Sequence, residues 1–351
     1  GRDRAIAGTG RPGGAGRRMK ATWLWLLGAT AVLGGAIVPL ALGGRDALAA
    51  ASHVSPTAGA ELIGLALASA IARAIKLRLL ALRLGQRVGV ARALITSLAS
   101  DAAFQATPAG AGGYPATVFL LRRGGVPMPA GVAMCAADQA LDTLFFVLAL
   151  TLACAFALGD AVPESWHAFA WVPAAAVALA ALLIVGAWRS HRRWWPRLRR
   201  AVLRVRWLRQ RRTRLRAFRN HFLDDIARLR RGSPLVTLAL ACAVAAQWTA
   251  RYAALALALA ALGHPLHFGL VFVAQSVALH AAQWTGVPGG VGGGDVALAG
   301  ALSPWAPLAV LGPALLLWRL TTFHAVLLAG AVAFACDRRR IEPAMIATAE
   351  T

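Results

Sequence analysis

The chain has 351 residues, of which 58% are hydrophobic, and its mean hydropathy is +0.61. This composition excludes an ordinary soluble domain. The formal net charge is +23, but the basic residues lie in clusters between long apolar runs that carry almost no charge. Nucleic-acid binding does not account for runs of bilayer length, so we expect a polytopic membrane protein with basic loops and no nucleic-acid partner.

Six apolar runs reach the length of about 20 residues that a helix needs to cross the hydrocarbon core of a bilayer. They predict transmembrane helices over 21–43, 58–77, 131–158, 169–188, 234–262 and 306–335. The remaining composition divides the chain into a disordered basic extension (1–18), a first membrane half (19–188), a basic loop (189–233), a second membrane half (234–335) and a cytoplasmic tail (336–351).

Two further apolar segments, 93–121 and 267–303, are interrupted by a glycine motif. When Pro108 is aligned with Pro288, both motifs read Pro-(Ala/Gly)-Gly-(Ala/Val)-Gly-Gly. Proline and glycine interrupt helices, so each segment is predicted to enter the membrane and return on the same side. All basic clusters and both termini then lie on the cytoplasmic side, as expected for a multi-pass protein of the bacterial cytoplasmic membrane.

The two broken segments have matching neighbours. Residues 58–158 and 234–335 each consist of a helix, a broken hairpin and a helix, with opposite predicted orientations. This inverted-topology repeat is typical of transporters, in which paired broken helices form the substrate site. The alternative is that the glycines only allow close helix packing. In the transporter interpretation, the helix that starts after each motif directs backbone N–H groups at an anion such as a lipid phosphate.

Ionisable residues inside apolar runs are costly and therefore candidates for function. Asp138 and Asp142 lie on one face of a predicted helix, Arg251 and Arg319 lie inside other runs, and acids can pair with bases across the two halves. The alternative is structural ion pairs. We expect no metal, cofactor or catalytic motif, and a substrate-binding set of Pro108, Gly110, Gly112, Gly113, Arg122, Asp138, Asp142, Arg251, Pro288, Gly289, Gly290, Gly292, Gly293, Asp295 and Arg319.

Seventeen arginines lie between Arg189 and Arg231. Within this loop, apolar residues recur at spacings of three and four, which predicts an amphipathic helix: Leu215, Phe218, Phe222, Ile226 and Leu229. Such a helix could bind the anionic headgroups of the inner leaflet, or the charge could simply fix the topology.

Two stretches resemble the flippase-like membrane domain of lysylphosphatidylglycerol synthases, over roughly residues 20–335. In "PATVFLLRRGGVPMPAGVAMCAADQALDTLFF", the basic pair Arg122 and Arg123 and the acids Asp138 and Asp142 are similar to the family pattern. In the second half, "VPGGVGGGDVALAGAL" is followed by Arg319 in "LLLWRLTTF".

The sequence departs from that pattern at three places. Gly113 and Tyr114 stand where the family often has an acid, Gln139 stands where it often has an arginine, and Asp295 replaces the usual glutamate. Little chain follows Arg340, so the aminoacyl-transferase domain of the full synthases is not expected here.

The resemblance implies an all-α protein that translocates a lipid: a phospholipid, a polyprenyl-phosphate-linked lipid or a hopanoid. A lipid-modifying enzyme is a possible partner under this hypothesis. Two alternatives stay open at this point. One is a membrane-embedded transferase or accessory that uses Asp138 and Asp142 as a base, and the other is a non-catalytic membrane scaffold whose basic loop recruits a partner.

Overall fold

The computed structural model of the protein describes residues 32–44, 47–153, 182, 186 and 212–339. These residues are helical with short turns, and no strand occurs among them, which agrees with the predicted all-α class. In chain order the helices are α1 (Val32–Gly43), α2 (Ala47–Ser52), α3 (Pro56–Arg83), α4 (Val90–Ala106), α5 (Gly113–Arg123), α6 (Met128–Leu152), α7 (Arg212–Arg230), α8 (Pro234–Ala261), α9 (Phe268–Gln283), α10 (Gly293–Leu302), α11 (Leu308–Arg319) and α12 (Ala325–Arg339).

Some predicted segments lie outside the described residues. These are the basic extension 1–18, most of the predicted helix 169–188, the first part of the basic loop and the end of the chain.

Helices α3 and α8 begin in the same way and have the same length. Each starts at a proline that follows a serine, Ser55 and Ser233, and each has 28 residues. Proline suits the first helical position because its missing N–H would have no partner there. Helix α3 extends beyond the predicted end at residue 77, because Leu80 and Ala81 are buried against neighbouring helices. The two helices pack closely along each other.

Three helical segments of the described residues are long and apolar enough to cross a membrane: Met128–Leu152, Pro234–Ala261 and Leu308–Asp337. The third combines α11, a π-helical turn at Leu320–His324 and α12. Helix α3 is as long as α8 but does not meet the same apolar criterion. It carries Arg73, Lys76 and Arg78 in its second half, and these charges lower its hydropathy.

Each glycine motif forms a break between two short helices. The first separates α4 from α5 at a 3-10 turn, Pro108–Gly110, and the second separates α9 from α10 at Pro288–Gly290. The four helices have 17, 11, 16 and 10 residues, so each is shorter than a full span. In each segment the two helices pack against each other, and the two 3-10 turns are in contact.

The predicted amphipathic helix corresponds to α7, which packs mainly against α6. Leu229 is buried, and Phe222 and Ile226 pack with it on a cluster that includes Leu80. Leu215, near the start of α7, is exposed. Much of the apolar face in the second half of α7 is therefore covered by protein.

Candidate functional site

A cavity of about 690 Å³ lies between the two halves. Helices α3, α4, α5, α6, α8, α9 and α11 contribute to its wall, together with residues of both 3-10 turns. Charged side chains line one region, whereas Phe146, Leu150 and Val277 supply apolar wall. The cavity is therefore amphipathic and is bounded by the two places where the helices are interrupted.

The backbone at both breaks requires glycine. Gly110 and Gly289 have φ values of +71° and +64°, in the left-handed region that side chains disfavour. A Cβ atom at Gly110 would clash with the ring of Phe104, and one at Gly289 would clash with the ring of Phe323. In the alignment of the two motifs Gly289 corresponds to Ala109, which also has a positive φ, of +52°, so both breaks pass through the left-handed region although the rings beside them differ.

Arg319 fixes the second break. Its Nε donates to Asp295 Oδ1 at 2.6 Å, Nη1 donates to the carbonyl oxygen of Gly289 at 3.0 Å, and Nη2 donates to that of Gly290 at 3.4 Å. Asp295 Oδ2 also accepts from the backbone N–H of Gly292 at 2.8 Å. Both charged side chains are buried, so this pair joins α10, α11 and the 3-10 turn.

A neutral pair occupies the corresponding place in the first half. Tyr114 Oη donates to Gln139 Oε1 at 2.6 Å. Gln139 precedes Arg319 by 180 residues, the same offset that separates Pro108 from Pro288. Tyr114 and Gln139 both line the cavity. Two of the three places at which the sequence departs from the family pattern are therefore in direct contact.

Lys76 forms the centre of a buried acidic group. Its Nζ lies 2.6 Å from Asp138 Oδ1 and 2.7 Å from Asp142 Oδ1, and the lysine is 1% exposed. The two carboxylates line the cavity, with the ammonium group behind them. Together the three side chains carry a formal charge of −1.

A second group of ionisable side chains carries the opposite net charge. Arg73 and Arg251 both form ion pairs with Asp101, the latter at 3.2 Å between Nη1 and Oδ2. All three side chains line the cavity and together carry a formal charge of +1. Because Arg73 belongs to α3 and Arg251 to α8, Asp101 connects the two halves of the protein.

The π-helical turn contributes a backbone acceptor to the same wall. The carbonyl oxygen of Thr322 lies 3.3 Å from Gln105 Nε2 and 3.5 Å from Arg251 Nη2. The wider spacing of a π turn leaves carbonyl groups available to such partners, and π turns are frequent at functional sites.

The structure brings eight of the fifteen expected site residues to the cavity wall. They are Gly110, Gly113, Asp138, Asp142, Arg251, Gly289, Gly290 and Arg319. Asp295 is buried behind Arg319, and the other motif residues, Pro108, Gly112, Pro288, Gly292 and Gly293, shape the two breaks. Arg122 is exposed at the end of α5 and does not line the cavity.

Sequence reasoning missed Arg73 and Lys76 as site residues, although both lie within the predicted helix 58–77. The apolar residues that continue after Lys76, in "LLALRL" (79–84), were the available signal that the helix extends past these charges. Asp337 was also missed. It is fully buried, contacts Arg92, and lies 3.1 Å from Arg123 Nη1.

Comparison with known proteins shows the family to which the chain belongs. A family model described as the lysylphosphatidylglycerol synthase TM region matches residues 24–330. A UPF0104 membrane protein of Archaeoglobus fulgidus is 26% identical over 275 residues, which cover 74% of this chain and 80% of that relative. The matched region contains both breaks and every charged residue of the cavity. The chain belongs to the lysylphosphatidylglycerol synthase transmembrane-region family, a family of membrane proteins linked to lipid handling.

Proposed function

We propose that the protein is a lipid flippase or lipid transporter. It moves a phospholipid, a polyprenyl-phosphate-linked lipid or a hopanoid across or out of the bacterial cytoplasmic membrane. The observation that carries this proposal is the amphipathic cavity of about 690 Å³ between the two halves, with four basic and four acidic side chains in or directly behind its wall. A lipid needs such a site because its headgroup is polar and its chains are apolar.

The energetic cost of these charges supports a functional role. An ionised residue at the centre of a transmembrane helix costs about 2.5–3.5 kcal/mol on insertion scales. Ion pairing offsets part of that cost, yet apolar residues of similar volume often stabilise a protein at least as well as a buried ion pair. Charged side chains around a cavity are therefore better explained by the binding of a polar group than by a contribution to the stability of the fold.

The arrangement of the breaks supports an inverted repeat with two re-entrant hairpins. Arg92 near the start of α4 and Arg123 at the end of α5 both contact Asp337, so the two ends of the first hairpin lie close together. The second hairpin has the same succession of helix, 3-10 turn and helix. Rocking of the two repeats about the cavity would give the headgroup alternating access to the two sides.

The headgroup contacts proposed here differ in part from those expected from the sequence. Arg122 lies outside the cavity, and three groups of the protein already engage the guanidinium group of Arg319. Arg319 is therefore a positioning residue in this proposal. Arg73 and Arg251 are the cations that meet the headgroup, because both line the cavity and lie at the interface of the two halves.

The proposal also includes the orientation and the partners. The basic loop and both termini lie on the cytoplasmic side, as the positive-inside rule requires. Arg214, Arg216 and Arg219 are exposed on α7 and would contact anionic headgroups of that leaflet. An enzyme that modifies the transported lipid is the proposed protein partner.

The test is lipid translocation in proteoliposomes. The purified protein is reconstituted with acyl-labelled fluorescent lipids, and inward movement is followed by chemical quenching of the outer leaflet. We expect the double variant Asp142→Ala/Arg319→Ala to lose most translocation. The matched control is Asp224→Ala/Arg230→Ala, which removes one acid and one base from exposed positions on α7 and should behave as the wild type. Equal rates for the cavity double variant and the wild type would refute the proposal.

A further inference from the structure

We propose that the transported lipid is a zwitterionic phospholipid with no net charge and a primary amine. Its phosphate binds between Arg73 and Arg251, and its ammonium group binds Asp138 and Asp142. This inference rests on the proposed lipid transport and names the substrate class of the same cavity.

The phosphate end of the site follows from the geometry around Asp101. Two guanidinium groups, one from each half of the protein, converge on this single carboxylate. Their side chains are 16% and 17% exposed, so neither is sealed from the cavity. One positive charge is left over in this group, and guanidinium forms strong bidentate hydrogen bonds with phosphate. One phosphodiester therefore neutralises the group.

The amine end follows from the group around Lys76. The ammonium of Lys76 contacts one oxygen of each carboxylate and lies on the side away from the cavity. Asp138 and Asp142 are partly open to the cavity, with side-chain exposures of 13% and 12%. One negative charge is left over here. A headgroup ammonium balances that charge and donates hydrogen bonds to the carboxylates.

The two ends are close enough for a single headgroup. Arg73 and Lys76 are three residues apart on α3, which corresponds to about 4.5 Å along the helix axis. The opposite charges of the site are therefore separated by about one helical turn. A phosphate and an amine joined by a short linker can reach both, while the apolar wall at Phe146, Leu150 and Val277 faces the rest of the lipid.

The balance of charge favours a neutral headgroup over a charged one. The two groups together hold three bases and three acids, so the side chains of the site have no net formal charge. A zwitterion keeps that balance, whereas a net anionic or net cationic headgroup introduces an uncompensated charge into a low-dielectric site. Discrimination thus arises from repulsion and desolvation as well as from attraction.

The experiment compares headgroups on identical labelled acyl chains in proteoliposomes. The probes are phosphatidylethanolamine, phosphatidylglycerol and phosphatidylcholine. We expect the wild type to move phosphatidylethanolamine about tenfold faster than phosphatidylglycerol, which lacks the amine. Phosphatidylcholine should also be slower, because its quaternary ammonium donates no N–H bond. Equal or faster movement of phosphatidylglycerol would overturn the proposal, and equal movement of phosphatidylcholine would overturn the amine contact.

Variants test the assignment of the two ends. Asp138→Asn/Asp142→Asn should abolish the preference for phosphatidylethanolamine, and Arg251→Gln should slow all three phospholipids. The matched control Asp224→Asn/Asp225→Asn removes two acids from α7, outside the cavity wall, and should keep the preference. If a variant does not fold, the wild-type comparison still decides the substrate class.

The outcome separates this inference from the proposed function. Translocation with the opposite headgroup preference would refute the zwitterion and leave lipid transport standing. Movement no faster than in protein-free vesicles for any phospholipid would refute the zwitterionic substrate, while a polyprenyl-phosphate or hopanoid probe in the same vesicles tests lipid transport separately.

Discussion

Arg73 and Arg251 occupy the same position in two equivalent helices and contact the same carboxylate. Each is the eighteenth residue of a 28-residue helix that begins at a proline, Pro56 in α3 and Pro234 in α8. Both form an ion pair with Asp101. The equivalent of Asp101 in the second half, 180 residues later, is Ala281. One acid therefore pairs with two bases that have the same position in α3 and α8, at the interface of the halves.

The first prediction concerns this shared carboxylate. Asp101→Asn removes the anion between two guanidinium groups, so we expect the free energy of unfolding to fall by about 3 kcal/mol. The double variant Asp101→Asn/Arg73→Gln should recover part of that loss, because one of the two facing cations is gone. Unfolding in detergent measures both effects. Asp224→Asn, on the exposed face of α7, is the control, and a double variant less stable than the single would contradict the prediction.

The second prediction concerns Arg319 and the second break. Arg319→Lys keeps the charge but loses the planar fork that reaches Asp295 and the carbonyl oxygens of Gly289 and Gly290. We expect a loss of about 2–4 kcal/mol in the free energy of unfolding. The exposed substitution Arg214→Lys should change it by less than about 0.5 kcal/mol. If Arg319→Lys and Arg214→Lys unfold at the same temperature, the point charge of a lysine is sufficient to stabilise the second break, which would contradict the prediction.

The third prediction separates backbone strain from steric clash. Gly110 and Gly85 have similar φ values, +71° and +68°, but a Cβ atom meets the ring of Phe104 only at Gly110 and meets nothing within 4 Å at Gly85. Gly85→Ala should therefore cost about 1–2 kcal/mol from conformation alone. Gly110→Ala should cost a further 1–3 kcal/mol or so from overpacking, and it should slow translocation. Equal losses of unfolding free energy in Gly85→Ala and Gly110→Ala would mean that the ring of Phe104 can move away from the added methyl group.

The fourth prediction uses the neutral pair of the first half. Gln139→Arg alone places an unpaired cation beside the cavity and should destabilise the protein by about 1–3 kcal/mol. Adding Tyr114→Glu supplies an acid at the residue that contacts position 139 and should recover at least half of the loss. A double-mutant cycle on unfolding free energies measures this coupling. Additive effects would show that the two positions act independently.

The fifth prediction concerns the ion pairs at the end of the first hairpin. Asp337→Asn weakens the contacts with Arg92 and Arg123, which join the start of α4 and the end of α5 to α12. Backbone amides near the end of α5 should then exchange with deuterium faster, whereas those in the middle of α8 should not change. Asp224→Asn on α7 is the matched control. Uniformly faster exchange would indicate global destabilisation instead of local opening.

Much of the fold could be predicted because lipid imposes simple rules on sequence. Hydrophobic runs predicted α8 to within one residue of its end, and the glycine motifs predicted both breaks. The predicted span ended at residue 77, before Arg78, whereas α3 continues to Arg83. Arg73 and Lys76 lie inside the predicted span, but the acids that pair with them are on other helices and distant in sequence.

The candidate site was predictable only in outline. Asp138, Asp142 and Arg251 were identified as intramembrane charges, and all three line the cavity. The residues that pair with them could not be assigned, since a charge in an apolar run does not specify its partner. The place of Arg122 in a family-like motif suggested a binding role, but the residue lies at the end of α5, where it is exposed and outside the cavity wall.

The sequence by itself determined the membrane class, the helical architecture and the two glycine breaks, because these depend on local composition and on the preferences of glycine and proline. Only the tertiary structure decided which charges meet. Helices α3, α4 and α8 bring Arg73, Asp101 and Arg251 together, although Arg251 is 150 residues from Asp101. Electrostatic pairing depends on distances between atoms, and packing sets those distances.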